Sequence, residues 1–260
     1  MKRIHLTIAI MAALPSAQAF LTASSLHQNR RAPSRISPPA ASASPAFGPS
    51  EQVGPLPKVV VFDLDGCLWR PEMYELIWFS GGKGAPFRID EENPDVLLTR
   101  GDETVYLLGD VREVMRELHL DEMWRGARVG ISSRTDEPSW ARELLTKFRV
   151  DCGDSCGGTF TLHDVFELGP IEIAKDSKVE HFRRIVDSCG VSPEDILFFD
   201  NESGNCREVA RMGVTVVYVP DGVTSGAWKV AKETFPQTDG KVIGVDVLAY
   251  DSLDGASRFF

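Results

Sequence analysis

The chain has 260 residues and a formal net charge of −10, and this charge is unevenly distributed. Residues 1–50 contain five basic and no acidic side chains, so residues 51–260 hold 23 basic against 38 acidic groups, a formal charge of −15. Such an excess of acid argues against nucleic acid as a partner. The acidic part, roughly two hundred residues, is long enough for one domain with a full core. We expect this domain to be a monomer.

The first fifty residues are typical of a targeting sequence. Residues 1–19 combine a basic start, an apolar stretch too short to span a bilayer and an Ala-Gln-Ala cleavage signal, as in a secretory signal peptide. Residues 20–50 are rich in Ser, Ala and Pro and lack acids, as in a transit peptide. This order resembles the bipartite plastid presequences of algae, so we expect plastid localisation and no membrane association of the mature protein. A secreted or endomembrane-lumen protein with a disordered linker is the alternative.

After this leader, apolar runs alternate with amphipathic segments, which predicts a parallel sheet with helices on both faces. The predicted strands are residues 58–62, 128–132, 196–199 and 214–219. The predicted helices are residues 110–119, 137–148, 177–189 and 203–212. The fold class is therefore α/β, a doubly wound parallel sheet over residues 57–235, followed by a C-terminal extension over 236–260.

One stretch, residues 70–104, does not follow this alternation. It contains a Gly-Gly-Lys-Gly run at 81–84 and prolines at 71, 86 and 94, which favour loops. We expect an irregular insertion that forms a small lid after the first strand.

Two carboxylates follow the first predicted strand. The run Val59–Phe62 is entirely apolar, as in a strand buried on both faces, and Asp63 and Asp65 come directly after it. Ligands of parallel sheets bind where the strands end, so this pair should lie at a site. Carboxylates held close together repel each other unless a cation compensates, and oxygen ligands favour Mg²⁺.

Polar residues also follow two later strands. Ser132, Ser133 and Arg134 end the second predicted strand, where a hydroxyl and backbone N–H groups can bind phosphate oxygens. Asp200 and Asn201 end the third and add a carboxylate and an amide oxygen. Between them, Lys178 lies in the first turn of a predicted helix, from which its ammonium group could neutralise a phosphorylated carboxylate.

These residues, in this order, resemble the four motifs of the haloacid dehalogenase-like phosphatases. The resemblance spans residues 57–232 and extends to the magnesium-dependent phosphatase branch. It implies a Rossmann-like core and a substrate that is a phosphorylated small molecule or a phosphoprotein, in the phosphotyrosine or sugar and fructosamine phosphate class. The residues that carry it are Asp63-Leu64-Asp65-Gly66, Leu68-Trp69, Ser133-Arg134-Thr135, the run 177–182 and Phe198-Phe199-Asp200-Asn201-Glu202.

The resemblance also implies a role for each site residue. Asp63 would be the nucleophile that forms an aspartyl-phosphate, and Asp65 would protonate the leaving oxygen and then activate water. Asp63, the backbone carbonyl of Asp65 and the fourth motif would hold Mg²⁺. The substrate-binding residues would be Leu64, Ser133, Arg134 and Lys178, with a surface ion pair as the alternative for Arg134.

The sequence departs from the pattern of this branch at two positions. Asn201 stands where a second acid is usual, so we expect it to ligate the metal directly, with Asp200 in support or as the alternative ligand. Cys67 stands where Thr is common. Cys67 and Cys206 could form a redox switch, although two independent buried residues are the simpler interpretation. We expect Cys152 and Cys156 to be ordinary loop residues.

The same motifs are also compatible with three other functions. A phosphotransferase or a dehalogenase would use Asp63 on a different electrophile. A non-catalytic phosphate-binding module would result if Asn201 failed to ligate metal.

Overall fold

The computed structural model describes residues 54–79, 81–153 and 157–245. The predicted signal peptide and transit-like segment, together with residues 246–260 of the predicted extension, lie outside these ranges. Within the described ranges, every helix is too short or too polar to cross a membrane.

The described part of the chain alternates strands and helices. Its strands are β1 (Val59–Phe62), β2 (Trp69–Arg70), β3 (Arg88–Ile89), β4 (Val96–Leu98), β5 (Thr104–Leu107), β6 (Arg128–Ser133), β7 (Arg149–Gly153), β8 (Gly158–Thr161), β9 (Ile171–Ile173), β10 (Ile196–Asp200), β11 (Thr215–Tyr218) and β12 (Val242–Ile243). Its helices are α1 (Met73–Phe79), α2 (Val111–Leu120), α3 (Pro138–Lys147), α4 (Leu162–Phe166), α5 (Lys178–Cys189), α6 (Ser203–Ala210) and α7 (Ser225–Thr234).

A six-stranded sheet forms the centre of the domain, with the order β12-β11-β10-β1-β6-β9 and parallel pairing throughout. All four residues of β1 are buried because helices cover both faces of the sheet. Successive side chains point to opposite faces, so Phe62 and Val61 belong to two separate hydrophobic clusters. The predicted α/β fold with a doubly wound parallel sheet is confirmed.

The two clusters hold the helices against the sheet. On one face the ring of Phe62 meets that of Phe166 of α4 edge to face, with centroids 6.3 Å apart, and on the other the rings of Phe182 of α5 and Phe198 meet edge to face at 4.7 Å. Each fully buried Phe contributes about 1.5–3 kcal/mol through burial alone. This packing fixes β1 and β10, which carry the acidic residues, relative to α5.

The insertion is more regular than predicted. Instead of an irregular lid, it contains α1 and a four-stranded antiparallel sheet with the order β2-β5-β4-β3. Leu76, Leu97 and Val105 of this unit are buried in the main hydrophobic cluster. Its strands have only two to four residues, so the glycines and prolines between them obscured the pattern.

The fold differs from the prediction in two further places. β12 pairs with β11, so the sheet extends beyond the predicted domain boundary at residue 235. Cys152 lies in β7 and is disulfide-bonded, so the expectation of an ordinary loop residue is wrong. Cys156 lies outside the described residues.

Candidate active site

The sheet order brings the predicted site residues together. Because β10, β1 and β6 are neighbours in a parallel sheet, their carboxyl ends meet at one edge. Asp63 follows β1, Ser133 ends β6 and Asp200 ends β10. A cavity of about 290 Å³ opens at this edge. The predicted residues that line it are Asp63, Asp65, Ser133, Arg134 and Lys178.

Lys178 lies between two carboxylates at the floor of this cavity. Its Nζ lies 2.9 Å from Asp63 Oδ1 and 3.0 Å from Asp200 Oδ2, and it also donates to the Ser132 carbonyl oxygen. Ser177 caps the helix by accepting from the Glu180 N–H, which places Lys178 at the first position of α5. Burial alone would lower the pKa of Lys178, but the charges of Asp63 and Asp200 raise it. The ammonium group therefore stays charged and neutralises one of the two carboxylates.

Asp65 is the second carboxyl group of the first motif. Its Oδ1 accepts from Trp69 Nε1 at 2.8 Å and its Oδ2 from the Met73 N–H at 3.2 Å, and the Thr135 side chain is a third partner. Burial and the charge of Asp63 raise the pKa of Asp65 to about 7, although these hydrogen bonds oppose the increase. A carboxyl group with this pKa can donate and accept a proton near neutral pH.

The residues predicted to bind phosphate are in different environments. Ser133 is buried, and its Oγ accepts from the Thr135 N–H at 3.4 Å. Arg134 is exposed, and its Nη1 lies 3.5 Å from Asn205 Oδ1. The side chain of Leu64 is fully buried in the core, so only its backbone could contact a substrate.

Asn201, in the fourth motif, has a side-chain oxygen without a hydrogen-bond partner. Its Oδ1 is buried without a hydrogen-bond partner, and an oxygen in this state normally has a ligand or water. Both oxygens of Asp200, in contrast, already accept from Lys178, the Glu202 N–H and Asn205. Gly66 permits this placement of Asn201, because a Cβ there would lie 2.2 Å from Asn201 Nδ2.

A divalent metal at this edge of the sheet would be bound by carboxylate, backbone carbonyl and amide oxygens. The described ranges contain no group of three or more His, Cys, Asp or Glu side chains that could hold a metal. The Asp63 carboxylate, the Asp65 backbone carbonyl and Asn201 Oδ1 are all hard oxygen donors, which is the type that Mg²⁺ prefers. The residues present therefore fit this ion.

The sequence did not predict the roles of three site residues. Trp69 and Thr135 bond to Asp65, and Asn205 Nδ2 lies 2.9 Å from Glu202 Oε2 and within 3.4 Å of both Asp200 oxygens. Trp69 and Thr135 lie within the motifs, but nothing in the sequence shows which atom their side chains reach. The position of Asn205, one turn into the helix after the fourth motif, was the only signal for its role.

The two cysteines near the motifs are free and fully buried. Cys67 Sγ lies 3.6 Å from the Phe199 carbonyl oxygen and Cys206 Sγ lies 3.5 Å from that of Asp200. Burial and the nearby carboxylates raise the pKa of both thiols. Since the thiolate is the reactive form, this environment favours the packing interpretation over a redox switch.

A parallel α/β sheet that brings a carboxylate pair and a buried lysine together at its carboxyl edge is the arrangement that the resemblance to the haloacid dehalogenase-like phosphatases implies. A family model described as Acid Phosphatase matches residues 55–238. A HAD-like hydrolase superfamily protein of Schizosaccharomyces pombe is 30% identical over 159 residues, which cover 61% of this chain and 83% of that protein.

The chain is also similar to two further proteins. Human Magnesium-dependent phosphatase 1 is 28% identical over 180 residues, covering 69% of this chain and 88% of that protein. A HAD family enzyme of Bacteroides thetaiotaomicron has a crystal structure in complex with magnesium and inorganic phosphate. Its sequence is 15% identical, and the match covers 65% of this chain and 93% of that enzyme, with a TM-score of 0.37. The chain belongs to the Acid Phosphatase family, in the magnesium-dependent branch of the haloacid dehalogenase-like phosphatases. The predicted family is confirmed.

Proposed function

We propose that this protein is a magnesium-dependent phosphatase that hydrolyses a phosphate monoester through an aspartyl-phosphate on Asp63. The observation that carries this proposal is the pairing at the cavity floor, where Lys178 Nζ lies 2.9 Å from Asp63 Oδ1 and also bonds to Asp200. A lysine held in this way fixes the nucleophilic oxygen and provides positive charge for the phosphoryl group. The enzyme uses Mg²⁺ as its cofactor.

The metal ligands in this proposal are Asp63, the backbone carbonyl of Asp65 and Asn201. When bound, Mg²⁺ supplies the positive charge that lets an anionic nucleophile approach an anionic ester. Asn201 is preferred over Asp200 because its Oδ1 has no other partner, whereas the oxygens of Asp200 are already used.

The reaction has two half-reactions. In the first, an Asp63 oxygen bonds to phosphorus, the bond from phosphorus to the leaving oxygen breaks, and Asp65 gives its proton to that oxygen. In the second, a water oxygen bonds to phosphorus and gives a proton to Asp65, and the bond between phosphorus and the Asp63 oxygen breaks, which releases phosphate and the Asp63 carboxylate. Ser133 and Lys178 bind the oxygens of the transferred group, and Arg134 binds the substrate at the exposed side of the cavity.

The cavity mouth supports two substrate classes. Tyr74 lines it with 47% of its side chain exposed, which suits stacking on an aromatic leaving group such as phosphotyrosine. Glu72 and Glu202 also line it, and their charge suits a cationic group such as the amine of a fructosamine phosphate. A dehalogenase needs no oxygen-rich metal position, so the free Asn201 oxygen favours a phosphatase over that alternative.

The proposal is tested by hydrolysis of 4-nitrophenyl phosphate with the full chain and Mg²⁺. We expect Asp63→Asn to lower kcat by at least about 10³-fold, because the amide cannot form the covalent intermediate. Asp187→Asn, an exposed position on α5, is the matched control and should retain wild-type activity. Equal rates for Asp63→Asn and the wild type would exclude Asp63 as the nucleophile, and activity without Mg²⁺ would exclude the metal dependence.

A further inference from the structure

We propose that Trp69 is a positioning residue that holds the Asp65 carboxyl group in the orientation needed to protonate the leaving group. Trp69 Nε1 donates to Asp65 Oδ1 at 2.8 Å, and these two residues are four positions apart at the entrance to the insertion. The inference rests on the proposed function, in which Asp65 transfers a proton.

The indole of Trp69 is held rigidly. It is fully buried and stacks on Phe148, with ring centroids 6.1 Å apart and an interplanar angle of 24°. The backbone of Trp69 is fixed at both ends, because its carbonyl accepts from the Gly66 N–H at 2.9 Å and β2 pairs with β5. A donor that cannot move restricts the acceptor to one rotamer, which is the condition for efficient proton transfer.

Trp69 is the main fixed contact between Asp65 and the insertion. The other partners of Asp65 are the Met73 N–H, at the longer distance of 3.2 Å, and the side chain of Thr135, which follows β6. Loss of the indole N–H would leave one oxygen of the carboxyl group without this restraint. Asp63, Lys178 and Asn201 do not contact Trp69 by any hydrogen bond that the structure records, so the nucleophile and metal position would be preserved.

Proton transfer matters most for poor leaving groups. A phenolate released from phenyl phosphate is strongly basic, with a phenol pKa of about 10 as in tyrosine, so its departure needs a proton. A nitrophenolate is much less basic and can leave as the anion. An enzyme with a misplaced proton donor should therefore lose activity selectively on phenyl phosphate, whereas a general structural defect would affect both substrates equally.

The experiment compares kcat/KM for phenyl phosphate and 4-nitrophenyl phosphate, with the full chain and saturating Mg²⁺. This parameter reports the steps up to release of the leaving group. We expect Trp69→Phe, which keeps an aromatic ring without the N–H, to lower kcat/KM about tenfold on phenyl phosphate and less than about threefold on 4-nitrophenyl phosphate, since general acid catalysis contributes 10²–10⁴-fold in total. Thr135→Val removes another Asp65 partner and should show the same selectivity.

A control separates this hydrogen bond from the general effect of removing an indole. Trp124→Phe removes a buried indole N–H that donates to Glu117, and neither residue lines the cavity. This variant should keep the wild-type ratio of the two kcat/KM values. An equal loss on both substrates in Trp69→Phe, no loss at all, or the same change of ratio in Trp124→Phe would overturn the proposal.

Two other results have a defined meaning. If Trp69→Phe does not fold, as judged by circular dichroism, then Trp69→Leu, which also lacks the indole N–H, is measured in its place, and a wild-type ratio in that variant would overturn the proposal. Failure of the proposed function would be seen separately, because the wild type would then hydrolyse neither ester or Asp63→Asn would be as active as the wild type.

Discussion

Asn201 provides a neutral amide oxygen at the position proposed to bind the metal. Its Oδ1 is buried and unpartnered, next to a glycine at φ +73° that leaves room for it. The neighbouring Asp200 forms a buried ion pair with Lys178, which also pairs with Asp63. Among the proposed metal ligands only Asp63 has a formal charge, because the Asp65 backbone carbonyl and the Asn201 amide are neutral.

The first prediction follows from this charge. Asn201→Asp adds a carboxylate at the proposed metal position, so we expect the dissociation constant for Mg²⁺ to fall by about tenfold. The measurement is isothermal titration calorimetry of the metal-free full chain with MgCl₂. Asn93→Asp, which adds the same charge at an exposed position in the insertion, is the control and should bind Mg²⁺ as the wild type does. An unchanged or weaker affinity in Asn201→Asp would argue against direct ligation by this residue.

At the scale of elements, Glu117 joins three segments on one side of the sheet. From α2, its Oε1 accepts from Trp124 at 3.0 Å and from Lys232 at 2.7 Å, and its Oε2 accepts from Trp228 at 2.8 Å. Trp228 and Lys232 belong to α7, and Trp124 lies in the short 3₁₀ turn after α2. Burial alone would raise the pKa of Glu117, but these three donors hold it below the usual value.

We predict that Glu117→Gln lowers the free energy of unfolding by about 2 kcal/mol at pH 7, because hydrogen bonds to a charged group contribute more than those to a neutral one. The pKa of Glu117 is lower in the folded state than in the unfolded state. The carboxylate therefore stabilises the fold fully above the unfolded-state pKa of about 4.3, and this stabilisation is lost as the pH falls through the folded-state pKa. Urea denaturation of both proteins between pH 7 and pH 3 tests this.

The difference between wild type and Glu117→Gln should thus shrink towards acid pH. Glu233→Gln, at an exposed end of α7 with only Lys229 at 3.9 Å, is the control and should change stability by less than about 0.5 kcal/mol. A difference that stays constant with pH would show that the charge of Glu117 is not what stabilises the contact.

Some elements could be predicted from the sequence and others could not. The strand Val59–Phe62 and its neighbour at Ile196–Asp200 are buried on both faces, so they are recognisable as uninterrupted apolar runs. In contrast, β9 has three residues with Glu172 in the middle, and α7 begins with Ser225 and Gly226, which resemble a loop. These elements form because the rest of the fold supplies their packing partners.

Dependence on tertiary packing also limits how much of the site can be predicted from the sequence. Asp63, Asp65 and Lys178 could be identified because the chemistry requires their residue types at ordered positions. The bonds of Trp69 to Asp65 and of Asn205 to Asp200 depend on how the insertion and α6 pack, which no local spacing encodes.

At the scale of the whole molecule, the basic leader and the acidic domain differ sharply in composition. We propose that residues 1–50 direct the protein to a plastid through the secretory system. Residues 1–19 would direct the chain into the secretory system, and residues 20–50 would then direct it into the plastid. Monomeric state and the lack of a nucleic-acid partner stay predictions from charge and size.

The localisation is tested by fusing leader segments to a fluorescent protein in an alga whose plastid lies inside the secretory system. We expect residues 1–50 to give plastid fluorescence, because both signals are then present. Residues 1–19 alone should give secretion, and residues 20–50 alone should leave the reporter in the cytosol. Secretion of the fusion with residues 1–50 would instead support the alternative of a secreted protein with a linker.

The central sheet ends on short strands at both sides, with two residues in β12 and three in β9. An edge strand offers its free N–H and C=O groups to any other chain that can align with it, and the number of such groups sets how firmly that chain is held. With so few available, neighbouring copies gain little by joining their sheets edge to edge. Within the described residues, short edge strands thus limit edge-to-edge pairing between copies of the central sheet.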